Sequence, residues 1–145
     1  MLGANVALLE KVVDEKKVHI VVNKEWEEGM ASSIRCGLNT LLHIAPLSDA
    51  VILMVCDQPY VSASLLIELI ATQKNTGKLI VASQYENSFG PPALFFKTIF
   101  PELQKLKGDA GARKIVAQHS NDTRTVLFKQ GNIDIDTEED YKALS

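Results

Sequence analysis

Apolar positions along this chain follow two rhythms. Over residues 5–16, Val6, Leu9 and Val13 share one face, with Leu8 and Val12 beside them, which is helical spacing. Residues 19–23, His-Ile-Val-Val-Asn, form a short β-branched run that predicts a strand. Helical spacing returns over 30–43, with Ile34, Leu38, Leu41 and Leu42 as the stripe. Residues 50–56 are apolar on both alternating faces, the pattern of a central strand covered on both sides in a parallel sheet. Asp57-Gln58-Pro59 ends that run. Ser62 is placed to cap a helix over 62–73 that carries Leu65, Leu66, Leu69 and Ile70. Strands are predicted over 78–83, 92–97 and 123–128, and helices over 98–106 and 110–119, the second started by Asp109. Thr137-Glu138-Glu139-Asp140 reads as a capping box for a last helix reaching about Leu144.

Strands alternating with helices predict an α/β fold with a mainly parallel sheet. In such sheets ligands sit beyond the carboxyl ends of the strands, which points to Asn23, to Asp57-Gln58-Pro59 and to the loops around Gly90 and Asp134. No repeat or linker divides residues 1–145, so one domain is expected. The 145 residues are 46% hydrophobic and 23% charged, enough apolar material for a core and too much for disorder. With 15 Lys+Arg against 18 Asp+Glu there is no basic excess, which argues against nucleic-acid binding. The apolar runs are too short to cross a bilayer. No positive segment precedes the first apolar residues, so no secretory signal is expected and the cytoplasm is the default. The two cysteines, Cys36 and Cys56, are too few for a disulfide framework or a zinc site.

Several segments could carry chemistry. Asp57 directly follows the most apolar strand, and Pro59 stiffens the exit turn. A carboxylate there can ligate Mg²⁺, which takes one or two carboxylates with phosphate oxygens and water, or can simply bond its own turn. Asp134 and Asp136 alternate onto one side of an extended segment. One of them could share a metal with Asp57, or Asp136 could only favour the start of the last helix. The run from Gly29 to Leu38 joins a loop to a helix N-terminus. Free N–H groups and the Ser32 and Ser33 hydroxyls there can bind an anion or read a base edge, or form an ordinary cap. Arg35 reaches a phosphate or is a surface charge. Gly90-Pro91-Pro92-Ala93 is a rigid turn in which Gly90 admits a ligand close to the backbone, or is only a turn. Gly108-Asp109-Ala110-Gly111-Ala112-Arg113 opens a helix with a basic residue in its first turn, facing a phosphate-bearing substrate or merely capping. His19, His43 and His119 lack metal-ligand spacing, Cys36 and Cys56 read as core residues, and Trp26 covers a ligand or a helix end.

Taken in order, these segments resemble a known series. Val21-Val22-Asn23, Trp26, the run from Glu28 to Leu38, Cys56-Asp57-Gln58-Pro59, Gly90-Pro91-Pro92-Ala93-Leu94-Phe95, the run from Gly108 to Arg113, and the run from Asp134 to Tyr141 are similar to the motifs of molybdenum cofactor cytidylyltransferases, within the MobA-like NTP transferase family. The resemblance covers residues 1–145. It implies a Rossmann-like, three-layer α/β/α domain of the nucleotide-diphospho-sugar transferase type with a mostly parallel sheet. It implies a Mg²⁺-dependent nucleotidyltransferase in which molybdopterin phosphate attacks the α-phosphate of CTP and pyrophosphate leaves. On this resemblance Asp57 and Asp136, or Asp134 in its place, are catalytic metal ligands. Asn23, Gly29, Met30, Ser32, Ser33, Gly37, Asp57, Gln58 and Pro59 bind the nucleotide, and Gly90, Pro92, Asp109 and Arg113 face the pterin. Such chemistry rests on in-line placement and charge stabilisation. The implied partners are a nucleoside triphosphate, molybdopterin and a molybdoenzyme, with no nucleic acid and no membrane.

Two departures from the series stand out. Cys56 replaces a glycine and adds bulk beside Asp57. The family's opening strand and glycine-rich loop, of the type Leu-Ala-Ala-Gly-x-Ser-x-Arg-Met-Gly ending at a Lys, has no counterpart here. Met1-Leu2-Gly3-Ala4-Asn5 instead looks like the second strand running into the second helix. The expectation is a chain that lacks an N-terminal strand-loop-helix of about 30 residues or more, the size of a βαβ unit. Weak triphosphate binding should follow, and an open apolar sheet edge that either pairs with a second copy as a homodimer or leaves the chain poorly soluble. Two readings stand beside the cytidylyl one: a guanylyl- or sugar-phosphate nucleotidyltransferase, and a non-catalytic remnant or binding module of the same fold.

Overall fold

The computed structural model describes residues 1–13, 17–86 and 88–144. In chain order the helices are α1 (Val6–Leu9), α2 (Met30–Ile44), α3 (Ala63–Thr76), α4 (Phe100–Leu103), α5 (Arg113–Gln118) and α6 (Glu138–Ala143). The strands are β1 (Ala50–Leu53), β2 (Ile80–Tyr85), β3 (Ser88–Phe96) and β4 (Thr123–Leu127). These elements fall into two compact units, one from Met1–Asp49 with Ile99–Ile115, the other from Ala50–Thr98 with the chain from Val116 onward.

The first unit carries α1, α2 and α4. Of the helix expected over 5–16 only α1 forms, none of its residues is buried, and residues 14–16 lie outside the described residues. The strand expected over 19–23 reduces to one parallel bridge between Leu2 and Val22. It stops because the Asn23 Oδ1 accepts the Glu25 N–H at 3.0 Å, an Asx turn that bends the chain away. α2 forms as its stripe predicts, with Ala31 and Leu38 almost wholly buried. The segment expected as a helix over 98–106 becomes a 3-10 turn, Lys97–Ile99, followed by the short α4. The helix expected from 110 starts at Arg113.

The second unit is built on a four-stranded sheet of order β1-β3-β2-β4. β2 and β4 pair in parallel, whereas β3 is antiparallel to both β1 and β2. Three strands thus run one way and β3 runs back between them. The sheet is mixed rather than mostly parallel because only residues 86 and 87 separate β2 from β3, too short a link for a crossover. α3 covers the sheet with Leu65 and Leu69, which pack with Val81, Leu94, Val126 and Phe128. Ser62 caps α3 as expected, its hydroxyl accepting the Leu65 N–H at 3.3 Å. Thr137 and Asp140 form the expected capping box of α6.

β1 is not a central, doubly covered strand. It is an edge of this sheet, and its residues are half-buried. It is also shorter than its apolar run, for a reason that lies in its partner. Pairing runs from Ala50 opposite Phe96 to Leu53 opposite Ala93. The next residues of β3 are Pro92 and Pro91, which carry no N–H to donate. On the other side of β3 the register with β2 jumps from Ala82–Ala93 to Ser83–Gly90, so both prolines sit in a bulge. There the Ser83 hydroxyl donates to the Pro92 carbonyl at 2.7 Å. Residues 54–56 therefore leave the sheet. Cys56 is exposed and Cys36 half-buried, so neither is the core residue expected.

Candidate active site

In the second unit the chain turns at Asp57 just beyond β1. Two hydrogen bonds fasten this turn to the segment ahead of α6. The Ile135 N–H donates to the Asp57 carbonyl at 2.8 Å. Gln58 Nε2 donates to the Gly131 carbonyl, also at 2.8 Å. Gly131 has no room for a side chain, since a Cβ there would fall on Tyr85 and Phe128. Both Asp57 Oδ1 and Gln58 Oε1 are shut off from solvent without a hydrogen-bond partner. A buried acceptor left unpaired costs about 1–3 kcal/mol. The turn therefore suits something that only donates hydrogens or carries positive charge.

Carboxylates extend this acceptor region. Burial, and then the negative charges of Asp57 and Asp136, push the Asp134 carboxyl above its ordinary value. A buried carboxylate oxygen without a partner, close to further acidic groups, fits the all-oxygen donor set of Mg²⁺ or Mn²⁺. Among the described residues no three His, Cys, Asp or Glu side chains are grouped so as to hold a metal by themselves. Mg²⁺ needs no such group, because it keeps several waters and takes one or two carboxylates. Pro59 is exposed on the same turn. Gly90 and Pro92 are buried, and a Cβ on Gly90 would fall on the Tyr85 hydroxyl.

In the first unit the expected nucleotide segment is tightly bonded to itself. Asn23 is buried, and its Nδ2 donates to the Ser32 hydroxyl at 2.7 Å and to the Ser33 hydroxyl at 3.2 Å. Ser32 in turn donates to the Gly29 carbonyl at 2.8 Å. The Ala31 N–H, expected to be free for an anion, donates to the Gly108 carbonyl at 3.0 Å, and the Ser32 N–H donates to Gly29 at 3.2 Å. Arg35 is neither a free phosphate ligand nor a loose surface charge. Its guanidinium bonds both carboxylate oxygens of Glu28 and the Leu106 carbonyl, the last at 2.6 Å. Glu28 also accepts the Gly108 N–H at 3.3 Å. The 106–109 turn is thus strapped to the start of α2.

That strap explains Gly29. Its φ of 111° is one that L-residues rarely adopt, and a Cβ there would meet the Asp109 carboxylate and the Gly108 backbone. Asp109 and Arg113 are exposed, and Met30 is exposed with its sulfur close to Gly111. Gly37 has open space around it. Asn23, Lys24, Ser32, Arg35, Asn39 and Thr40 are among the residues lining an open groove of about 400 Å³, within the range of small-molecule sites. Glu28 and Gly108 open two of the motif runs, but the sequence assigns neither of them the holding role they have here. Their one sign was an acid set seven positions, about two helical turns, before Arg35.

Among the described residues no helix is long and apolar enough to cross a membrane. Comparison with known proteins gives this geometry a context. The chain is 29% identical over 130 residues to the purine catabolism protein PucB of Bacillus subtilis, covering 88% of this chain and 61% of that one. It thus spans about three fifths of the length of this curated relative. Among solved structures it is similar to Rv0371c of Mycobacterium tuberculosis, with a TM-score of 0.79, 28% identity and coverage of 98% of this chain and 72% of that one. A manganese complex of Rv0371c gives a TM-score of 0.75 at 26% identity, covering 99% of this chain and 74% of that one. The molybdopterin-guanine dinucleotide biosynthesis protein A of Archaeoglobus fulgidus shares the fold, with a TM-score of 0.59 at 16% identity over 93% of this chain and 70% of that one. The MobA-like NTP transferase domain matches residues 2–123, a span that runs through both units, and the chain belongs to that family.

Proposed function

We propose that this chain serves a divalent-cation-dependent nucleotidyl transfer from CTP to molybdopterin, with residues 1–145 acting as one domain. The observation that carries the reading is the buried, unpartnered Oδ1 of Asp57 beside the acidic segment of Asp134 and Asp136. Family membership supports it, and so does the manganese complex of the similar Rv0371c. Asp57, with Asp136 or Asp134, would hold the cation, which when bound neutralises charge on the triphosphate. The acceptor's phosphate oxygen bonds to the α-phosphorus, the α–β anhydride bond breaks and pyrophosphate carries off the electron pair. For the nucleotide, the first unit would supply Asn23, Gly29, Met30, Ser32, Ser33 and Gly37, and the second unit Asp57, Gln58 and Pro59. Gly90, Pro92, Asp109 and Arg113 belong to the acceptor side. A cytoplasmic setting, a homodimer through the β1 edge and delivery to a molybdoenzyme complete the proposal.

The name of the Bacillus relative refers to purine catabolism, which leaves the acceptor to experiment. Calorimetric titration of the chain and of Asp57→Ala with CTP, GTP, ATP and UTP in Mg²⁺ tests the reading. Mg²⁺-dependent CTP binding that disappears in the variant supports it. Preferential GTP binding moves the reading to a guanylyltransferase. Absence of binding to all four nucleotides rejects a nucleotide site in this chain.

A further inference from the structure

We infer that Gln58 is a positioning residue of the cation site, with Nε2 holding the acidic segment against the Asp57 turn and Oε1 left to accept a hydrogen from water carried by the cation. This rests on the reading that Asp57 holds a divalent cation, and it gives Gln58 a task other than nucleotide contact. Four observations support it.

Gln58 is only 7% exposed although it lies in a turn beside the exposed Pro59 and Cys56. Its Nε2 bond reaches 73 residues along the chain to Gly131, three residues before Asp134. A second bond, from the Ile135 N–H to the Asp57 carbonyl, closes on the other side of Asp134. Asp134 is therefore bracketed by two attachments to residues 57 and 58. The fourth observation is the unpaired Oε1. An amide whose donor is engaged and whose acceptor is buried and empty needs a donor from outside the chain. Mg²⁺ and Mn²⁺ carry such donors as coordinated water, and groups that fix a ligand or a bound water from outside the coordination sphere tune metal affinity about 10–100-fold.

The test uses Mn²⁺ alone, titrated into the whole chain and followed by calorimetry and by the electron-paramagnetic signal of free Mn²⁺. Gln58→Leu keeps the volume and removes both polar atoms. Gln58→Glu keeps the shape and an acceptor, removes the donor and adds negative charge. The inference expects both variants to bind Mn²⁺ at least about tenfold more weakly than the parent. Simple charge attraction expects Gln58→Glu to bind more tightly. Tighter or unchanged binding in Gln58→Glu overturns the inference. Circular dichroism identifies an unfolded variant, and if Gln58→Leu unfolds the glutamate variant decides alone. If both unfold, Gln58 is a general fold requirement and the inference is overturned. Loss of Mn²⁺ binding in Asp57→Ala with unchanged binding in both Gln58 variants leaves the site standing and removes Gln58 from it. Absence of Mn²⁺ binding to the parent chain overturns both.

Discussion

Arg35 meets Glu28 end to end, Nη1 to Oε1 at 2.9 Å and Nη2 to Oε2 at 2.5 Å. The pair does more than join two exposed charges. The Arg35 guanidinium continues to the Leu106 carbonyl, and the Glu28 carboxylate to the Gly108 N–H. The Arg35 hydrogen bond first, and the Gly108 N–H second, hold the Glu28 carboxyl below its ordinary 4.5. A carboxyl lowered on folding stabilises the fold above its unfolded value, and that contribution is lost as pH falls through the folded value. Glu28→Gln should therefore flatten the acid side of the stability curve below pH 4.5. Melting temperatures taken from about pH 3 to about pH 7 check this. An unchanged acid limb would separate the pair from stability.

Asp134 has the opposite sign. Its carboxyl is raised from 3.8 by burial and by Asp57 and Asp136. Ionising it opposes folding, so its effect on stability worsens as pH rises from 3.8 through the raised folded value and persists above it. Asp134→Asn should melt higher than the parent at neutral pH in chelator, and the advantage should vanish below pH 3.8. The same variant should bind Mn²⁺ more weakly. A variant that melts lower at neutral pH would contradict the repulsion.

Gly29→Ala places a methyl group against the Gly108 backbone at a φ of 111°. Backbone strain of this kind costs about 1–3 kcal/mol, and displacement of the 106–109 turn adds to it. Urea unfolding should show the loss. Gly37→Ala has open space around it and removes a helical glycine, so it should gain about 0.5–1 kcal/mol.

Thr137→Ala removes the hydroxyl that accepts the Asp140 N–H and donates to its carboxylate. Loss of such a cap costs about 1 kcal/mol. It should appear as faster hydrogen exchange across residues 138–141 with little change elsewhere, because no residue of α6 is buried.

The parts of the fold legible in the sequence are those fixed by local chemistry. Ser62 before an apolar stripe and Thr137 three residues before Asp140 name their helix starts outright. The β-branched runs that became β2 and β4 carry their own signal. What could not be read depended on partners distant in the chain. The apolar run over 50–56 shows nothing of Pro91 and Pro92, which decide where its pairing ends. The parallel expectation missed a reversal set by a two-residue link.

The candidate site divides in the same way. The place of Asp57 just after a strand is legible in the sequence, whereas the burial of its unpaired Oδ1 is visible only in the fold. The sequence offers Asn23 and Ser32 as polar groups for a ligand, and the fold shows in addition that they bond to one another and to the loop. Periodicity cannot tell a hydroxyl that waits for a ligand from one that braces a turn. The bracing role of Glu28 is not legible in the sequence, because its partners Arg35 and Gly108 meet it only once the chain is folded.

The prolines of β3 act as a zipper stop for the neighbouring strand. If Pro91 and Pro92 were replaced by residues with an N–H, hydrogen bonding could advance from Leu53 toward Cys56 and draw the following aspartate into the ladder. The reach of Asp57 beyond the sheet is thus metered by two prolines on the neighbouring strand. Lengthening or shortening that stop would retune the spacing of the acidic groups without altering one of them.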